Sequence, residues 1–160
     1  MRQRPSKDKT PPDAATAPAR AVGLLARREH SARELQRKLE ARGYEEADAA
    51  KAVEKLGRAG LQSNERYAEQ LTRTRIAQGY GPVRIRAELE MSGLSGEQID
   101  AALEASGCDW KQLAADAHAR KFGRAPRNGV ERMKQNRFLY SRGFDADLIR
   151  AVLKGAAEED

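Results

Sequence analysis

The chain repeats itself every fifty residues. Leu39-x-x-x-Gly43-Tyr44 returns as Leu89-x-x-x-Gly93-Leu94 and again as Leu139-x-x-x-Gly143-Phe144. The flanks keep register: Val53, Leu103 and Leu153 are equivalent, as are Ala49, Ile99 and Ile149. Three copies of one unit predict a quasi-linear protein in which no copy buries its apolar face alone. Such architectures present extended binding surfaces more readily than clefts for chemistry.

Within each copy the apolar spacing is helical. Ser31-Ala-Arg-Glu34 and Ser95-Gly-Glu-Gln98 read as capping boxes that open helices. Leu35 and Leu39, and likewise Ile85 and Leu89, lie four apart on one face. Gly43, Gly93 and Gly143 stand where a helix ends in a left-handed residue. Gly57 and Gly60 are expected to close the helix before them. Gly79-Tyr80-Gly81-Pro82 predicts a turn with Pro82 at a first helical position, where its missing N–H costs nothing. In the third copy Trp110, Leu113, Ala117 and Phe122 supply one apolar stripe, and Met133, Phe138 and Leu139 the next. Gln135 there takes the place of Leu35 and Ile85. No segment has strand periodicity, so the expectation is all-α: an elongated array of three tandem three-helix repeats. The boundaries expected are a disordered basic tail over 1–18, repeats over 19–61, 62–108 and 109–155, and an acidic tail over 156–160. The first eighteen residues hold four of the six prolines and no apolar period.

Composition narrows the function. One cysteine, Cys108, excludes an internal disulfide and cysteine-only metal sites. His30 and His118 have no ligand partner at metal spacing, and neither a phosphate-cradling glycine loop nor a nucleophile elbow is present. No enzyme, metal or cofactor is therefore expected. The longest apolar run, Ala21 to Ala26, is too short for a signal or membrane span; a cytoplasmic protein without a membrane partner is expected. The net charge is +6, and it is unevenly placed. Residues 63–109 carry five basic and eight acidic groups, while 110–142 carry nine and two. A field of +7 over one repeat suits a polyanion. Its members include Arg120, Lys121, Arg124, Arg127, Arg132, Lys134, Arg137 and Arg142, with Arg84 and Arg86 as weaker candidates because Glu88 and Glu90 follow. Tyr140 could stack on bases, as could Phe138 and Phe144, although the last two suit the core.

Three segments together resemble one known family. Leu24-Leu25-Ala-Arg27-Arg28-Glu-His30-Ser31-Ala-Arg-Glu34-Leu35-x-x-Lys38-Leu39 is similar to the opening motif of the bacterial RecX family. Glu65-Arg66-Tyr67-Ala68 with Gly79-Tyr-Gly81-Pro82-x-Arg84-Ile85-x-x-Glu88-Leu89 resembles its central motif, and Phe138-Leu139-x-x-Arg142-Gly143-Phe144 its last. The likeness spans about residues 20–154. Ser92 departs from it, replacing a basic residue equivalent to Arg42 and Arg142, as does Ser63-Asn64 in place of an acidic pair. The resemblance implies a modulator, mainly an inhibitor, that binds RecA recombinase filaments on DNA, and binds single- or double-stranded DNA weakly and without specificity. It implies no catalytic residues, and a monomer is expected. The alternative is a stand-alone nucleic-acid-binding protein that competes with RecA for DNA; a helical scaffold for another partner is a third reading.

Overall fold

The computed structural model describes residues 10–159. Among these, nine α-helices follow one another with no strand: α1 (Ala17–Leu25), α2 (Ala32–Ala41), α3 (Glu46–Arg58), α4 (Asn64–Ala77), α5 (Pro82–Met91), α6 (Gly96–Ala105), α7 (Trp110–Lys121), α8 (Gly129–Ser141) and α9 (Ala146–Glu159). Three successive helices make each repeat. The chain divides into two compact units, Met1–Asn64 and Glu65–Asp160, so the second and third repeats share one body.

In the first unit α1 lies on α2 and α3. Ala17, Ala21 and Leu24 meet Leu35, Leu39, Ala49, Val53 and Leu56 in one core. The tail expected over 1–18 is corrected here for its described part. Asp13 accepts a hydrogen bond from the Ala15 N–H at 3.0 Å, Ala14–Thr16 form a 3-10 turn, and Ala17 is fully buried. The Thr16 hydroxyl meets the Tyr44 hydroxyl at 2.6 Å. Pro18 falls in the first turn of α1, where proline is tolerated, so this proline starts a helix rather than marking disorder. Residues 1–9 of that expected tail lie outside the described residues. The acidic tail expected over 156–160 is likewise helical to Glu159, since Ala156 and Ala157 are strong helix formers.

Ser31 caps α2 by accepting from the Glu34 N–H at 3.1 Å. The reciprocal half of the expected box is not formed, because the Glu34 carboxylate pairs with Arg28 and lies 3.9 Å from Lys38 Nζ. Burial pushes this carboxyl up, but the Arg28 hydrogen bond and charge outweigh burial and hold it below the usual range. At Ser95 both halves form, at 2.9 and 3.2 Å. Gly57 lies inside α3 and does not help to end it; Gly60, at φ +74°, does.

The second unit has two adjoining cores. Tyr67, Ile85, Leu89, Leu94 and Ile99 form one, against which Trp110 packs; Trp110 thus serves the second repeat rather than the third. Leu139, Phe144, Ile149, Val152 and Leu153 form the other. Ser92, the departure from the family pattern, hydrogen-bonds to the Tyr67 hydroxyl at 2.8 Å, so it joins α4 to the end of α5. No helix among the described residues is long and apolar enough to cross a membrane.

Candidate nucleic-acid and protein interface

The third repeat carries most of the candidate cations, and α8 divides them. Asn128 caps the helix, accepting from the Glu131 N–H at 2.9 Å. The inward face holds Gln135 and Leu139, with Phe138 half-buried. Gln135 is only 4% exposed. Its carbonyl oxygen lies 2.6 Å from His118 Nε2, and its amide donates to the Arg124 carbonyl at 3.3 Å. A buried amide persists when it is satisfied in this way, so α8 keeps the register of Leu35 and Ile85. Met133, expected in the apolar stripe, is consequently turned outward and is 65% exposed. That expectation is corrected.

Lys134 and Arg137 occupy the outward face, exposed and without an ion pair among the described residues. Arg127 is exposed too; its main-chain N–H donates to Glu131 at 2.8 Å. Arg124 is half-buried and paired with Glu131 at 3.2 Å. The Arg127 N–H, followed by the Arg124 charge, holds the Glu131 carboxyl below its usual range. Arg124 therefore keeps a counter-ion at neutral pH and contributes less free charge than its neighbours. Arg86 is paired with Asp100.

Arg84 and Arg142, about sixty residues apart in sequence, come together. Their guanidinium carbons lie 3.9 and 4.4 Å from the centroid of the Tyr80 ring, within the range of a cation–π contact. Arg142 also donates to the Gln78 carbonyl at 3.3 Å. Behind them the backbones meet. The Gly81 N–H donates to the Arg142 carbonyl at 2.8 Å, and the Val83 N–H to the Gly143 carbonyl at 3.0 Å. A helix start leaves N–H groups unpaired and a helix end leaves carbonyls unpaired; here the start of α5 and the end of α8 satisfy each other, with partial charges of opposite sign. Pro82, between the two donors, has no N–H to leave over. A Cβ on Gly81 would sit 2.6 Å from the Gly143 carbonyl carbon, and one on Gly143 would sit 2.5 Å from Arg84 Cβ.

Sequence reading missed this junction. It treated Gly79-Tyr80-Gly81-Pro82 as a turn and Arg142 as a candidate for anion contact. The available signal was the second glycine. Gly79 has φ +84° and ends α4, but Gly81 has φ −88°, which any residue adopts; space, not conformation, requires glycine there.

The other reactive groups are accounted for locally. His30 is buried; Nδ1 meets the Arg28 carbonyl at 2.9 Å and Nε2 meets Lys38 Nζ at 3.0 Å. Lysine can only donate, so the ring is neutral with its proton on Nδ1. Burial, with the nearby Arg28 and Lys38 charges, lowers its pKa from 6.5 against the opposing Arg28 carbonyl bond. Cys108 is half-buried and free, and burial followed by Asp109 pushes its thiol up. No group of three metal-ligating side chains occurs among the described residues.

Comparison with known proteins places this geometry. Family models for the first, second and third three-helix domains of RecX match residues 17–56, 63–103 and 110–153. The chain is 47% identical over 151 residues to the regulatory protein RecX of Stenotrophomonas maltophilia, covering 94% of this chain and 93% of that one. It is 44% identical over 138 residues to that of Chromohalobacter salexigens, covering 86% and 91%. The crystal structure of RecX from Lactobacillus salivarius superposes with a TM-score of 0.73 at 20% identity, over 89% of this chain and 96% of that one. A second RecX crystal structure gives 0.74 at 23% identity, over 87% and 70%; these two show the shared fold. With three domain matches in order and near-full-length relatives, the chain belongs to the RecX family of regulatory proteins.

Proposed function

We propose that this protein binds RecA recombinase filaments on DNA and modulates, mainly inhibits, their ATPase, strand-exchange and coprotease activities. It acts in the cytoplasm, as a binding protein without a cofactor. The observation that carries this reading is the cationic face of the third repeat, where Lys134 and Arg137 are exposed without an ion pair among the described residues and Arg127, also exposed, shares the single Glu131 carboxylate with Arg124. Such a face lowers its free energy beside phosphates by releasing their counter-ions. A repetitive helical polymer lets one chain of several repeats touch several protomers, so individually weak contacts gain through effective concentration.

The test is RecA ATPase on single-stranded DNA with this protein well below the recombinase concentration. Inhibition at that ratio supports filament modulation. Inhibition only near DNA saturation supports the alternative, a nucleic-acid-binding protein that competes with RecA for DNA. Unchanged RecA activity at equimolar ratio overturns the proposal. Replacing Arg124, Arg127, Lys134 and Arg137 by alanine is expected to lower the salt slope of binding by about 0.7–0.9 for each phosphate no longer neutralised, with Arg124 contributing least.

A further inference from the structure

Two surfaces of the second unit are complementary in charge. The first is the outward face of α8. Val130, Met133 and Tyr140 are 79%, 65% and 70% exposed. At 3.6 residues per turn they share a sector about 120° wide with Lys134 and Arg137. A single exposed apolar side chain needs no explanation, but three on one face beside two unpaired cations mark an interaction surface.

The second lies between α4 and α6. In the first and third repeats the opening helix packs along the closing one, α1 on α3 and α7 on α9. Helices α4 and α6 approach each other less closely, although Tyr67 and Ala68 share a core with Ile99 and Ala102. Ser106 stands at the position that Leu56 fills in the first repeat, and the space stays open as two adjoining cavities of about 470 and 370 Å³. They share Glu69, Ala102 and Ala105 as walls, with Ala68 completing the floor and Glu65 and Glu97 on the rim. None of these three glutamates makes an ion pair among the described residues. Thr72 lines the trough, is 1% exposed, and its buried hydroxyl has no hydrogen-bond partner. Arg73 lies at the Thr72 end, so the acidic character is concentrated towards Glu65 and Glu97.

We propose that the outward face of α8 in one copy of this chain docks in the α4–α6 trough of a second copy, so that copies add head to tail. The alanine floor admits a helix at close range. Lys134 and Arg137 then face the glutamate rim, while Met133 and Tyr140 cover the apolar floor. The surfaces differ, so the contact does not close into a two-fold dimer; it leaves one of each kind at the ends and generates an open row. Free copies associate weakly and more strongly at low salt.

The contact is tested on the full chain alone, independently of RecA or DNA, by sedimentation velocity over a concentration series at low and at about 0.5 M salt. The sedimentation coefficient is expected to rise with concentration, and the rise to shrink in salt. The double variants E65K/E69K and K134E/R137E should each lower the association constant at least about tenfold. Mixing the two should restore association, because the basic face of one then meets the acidic trough of the other. The glutamates lie outside the proposed DNA-binding set, so E65K/E69K separates loss of self-association from loss of nucleic-acid binding. All four side chains are exposed, and should either variant misfold, E65Q/E69Q and K134Q/R137Q give the same reading with a smaller loss. Wild type that stays monomeric at every concentration overturns the proposal. Charge variants that associate like wild type, or a mixture that stays apart, overturn it as well.

Discussion

The turns at Gly43 and Gly143 are the same local structure put to different uses. In each, the glycine N–H returns to the carbonyl three residues back, at 2.9 and 3.0 Å, and the next residue's N–H returns five back, at 3.3 and 3.2 Å. Their φ values, +99° and +97°, agree, and Tyr44 and Phe144 each fold under the helix end. Around Gly43 an added methyl would meet the edge of Pro12 at 3.3 Å; around Gly143 it would meet the backbone of Arg84, with the nitrogen at 2.8 Å. One turn only ends a helix. The other ends a helix and joins two repeats. Identical local grammar therefore does not reveal which copy carries a tertiary contact.

Several substitutions probe that difference. Leu139→Ala, at a position with no exposure, should cost about 2–5 kcal/mol by urea denaturation, and the equivalent changes at Leu39 and Leu89 should fall in the same range. Gly143→Ala should cost about 2–4 kcal/mol, combining strain at positive φ with a backbone collision, against about 1 kcal/mol for Gly43→Ala. Equal losses at the two glycines would remove the junction as an energetic feature. Gly81→Ala, which has collision without strain, should lie between them.

Arg142 and Arg137 give a finer comparison at one end of α8. Arg142→Ala should cost about 1–2 kcal/mol by removing the stack on Tyr80, whereas Arg137→Ala should change stability by less than about 0.5 kcal/mol. A larger loss at Arg137 would mean that the outward face of α8 is not free. The first unit has its own signature in pH. Because the folded pKa of His30 lies below its ordinary 6.5, its contribution is complete above that value and is lost as pH falls from 6.5 towards the folded pKa. Glu34, lowered from 4.5, contributes above 4.5 and loses that contribution at still lower pH. Urea midpoints measured against pH should show the first decline in wild type and not in His30→Asn.

Much of the fold was legible in the residues. Helical period, serine caps and the fifty-residue glycine pattern are local properties, and Leu39, Leu89 and Leu139 are all buried. What was misread has a common cause. Proline content described residues 10–18 as a tail, yet Ala17 and Thr16 have partners on other elements. Apolar character placed Met133 inside and made Gln135 an irregularity, yet His118 and the Arg124 carbonyl satisfy Gln135 from elsewhere in the chain. Charge grouped Arg84, Arg124 and Arg142 with Lys134 and Arg137; only the last two combine exposure with the absence of a partner on α8.

The sequence by itself determined most of the helix caps and glycine ends, that there are three copies, and that the third holds the positive charge. Each follows from groups within a turn or two of one another, or from simple counting. Only the tertiary structure decided which cations are spent on contacts, why Gly81 is glycine, and that α4 and α6 leave a trough. Those depend on atoms from distant parts of the chain occupying the same few ångströms, and no local pattern encodes that approach.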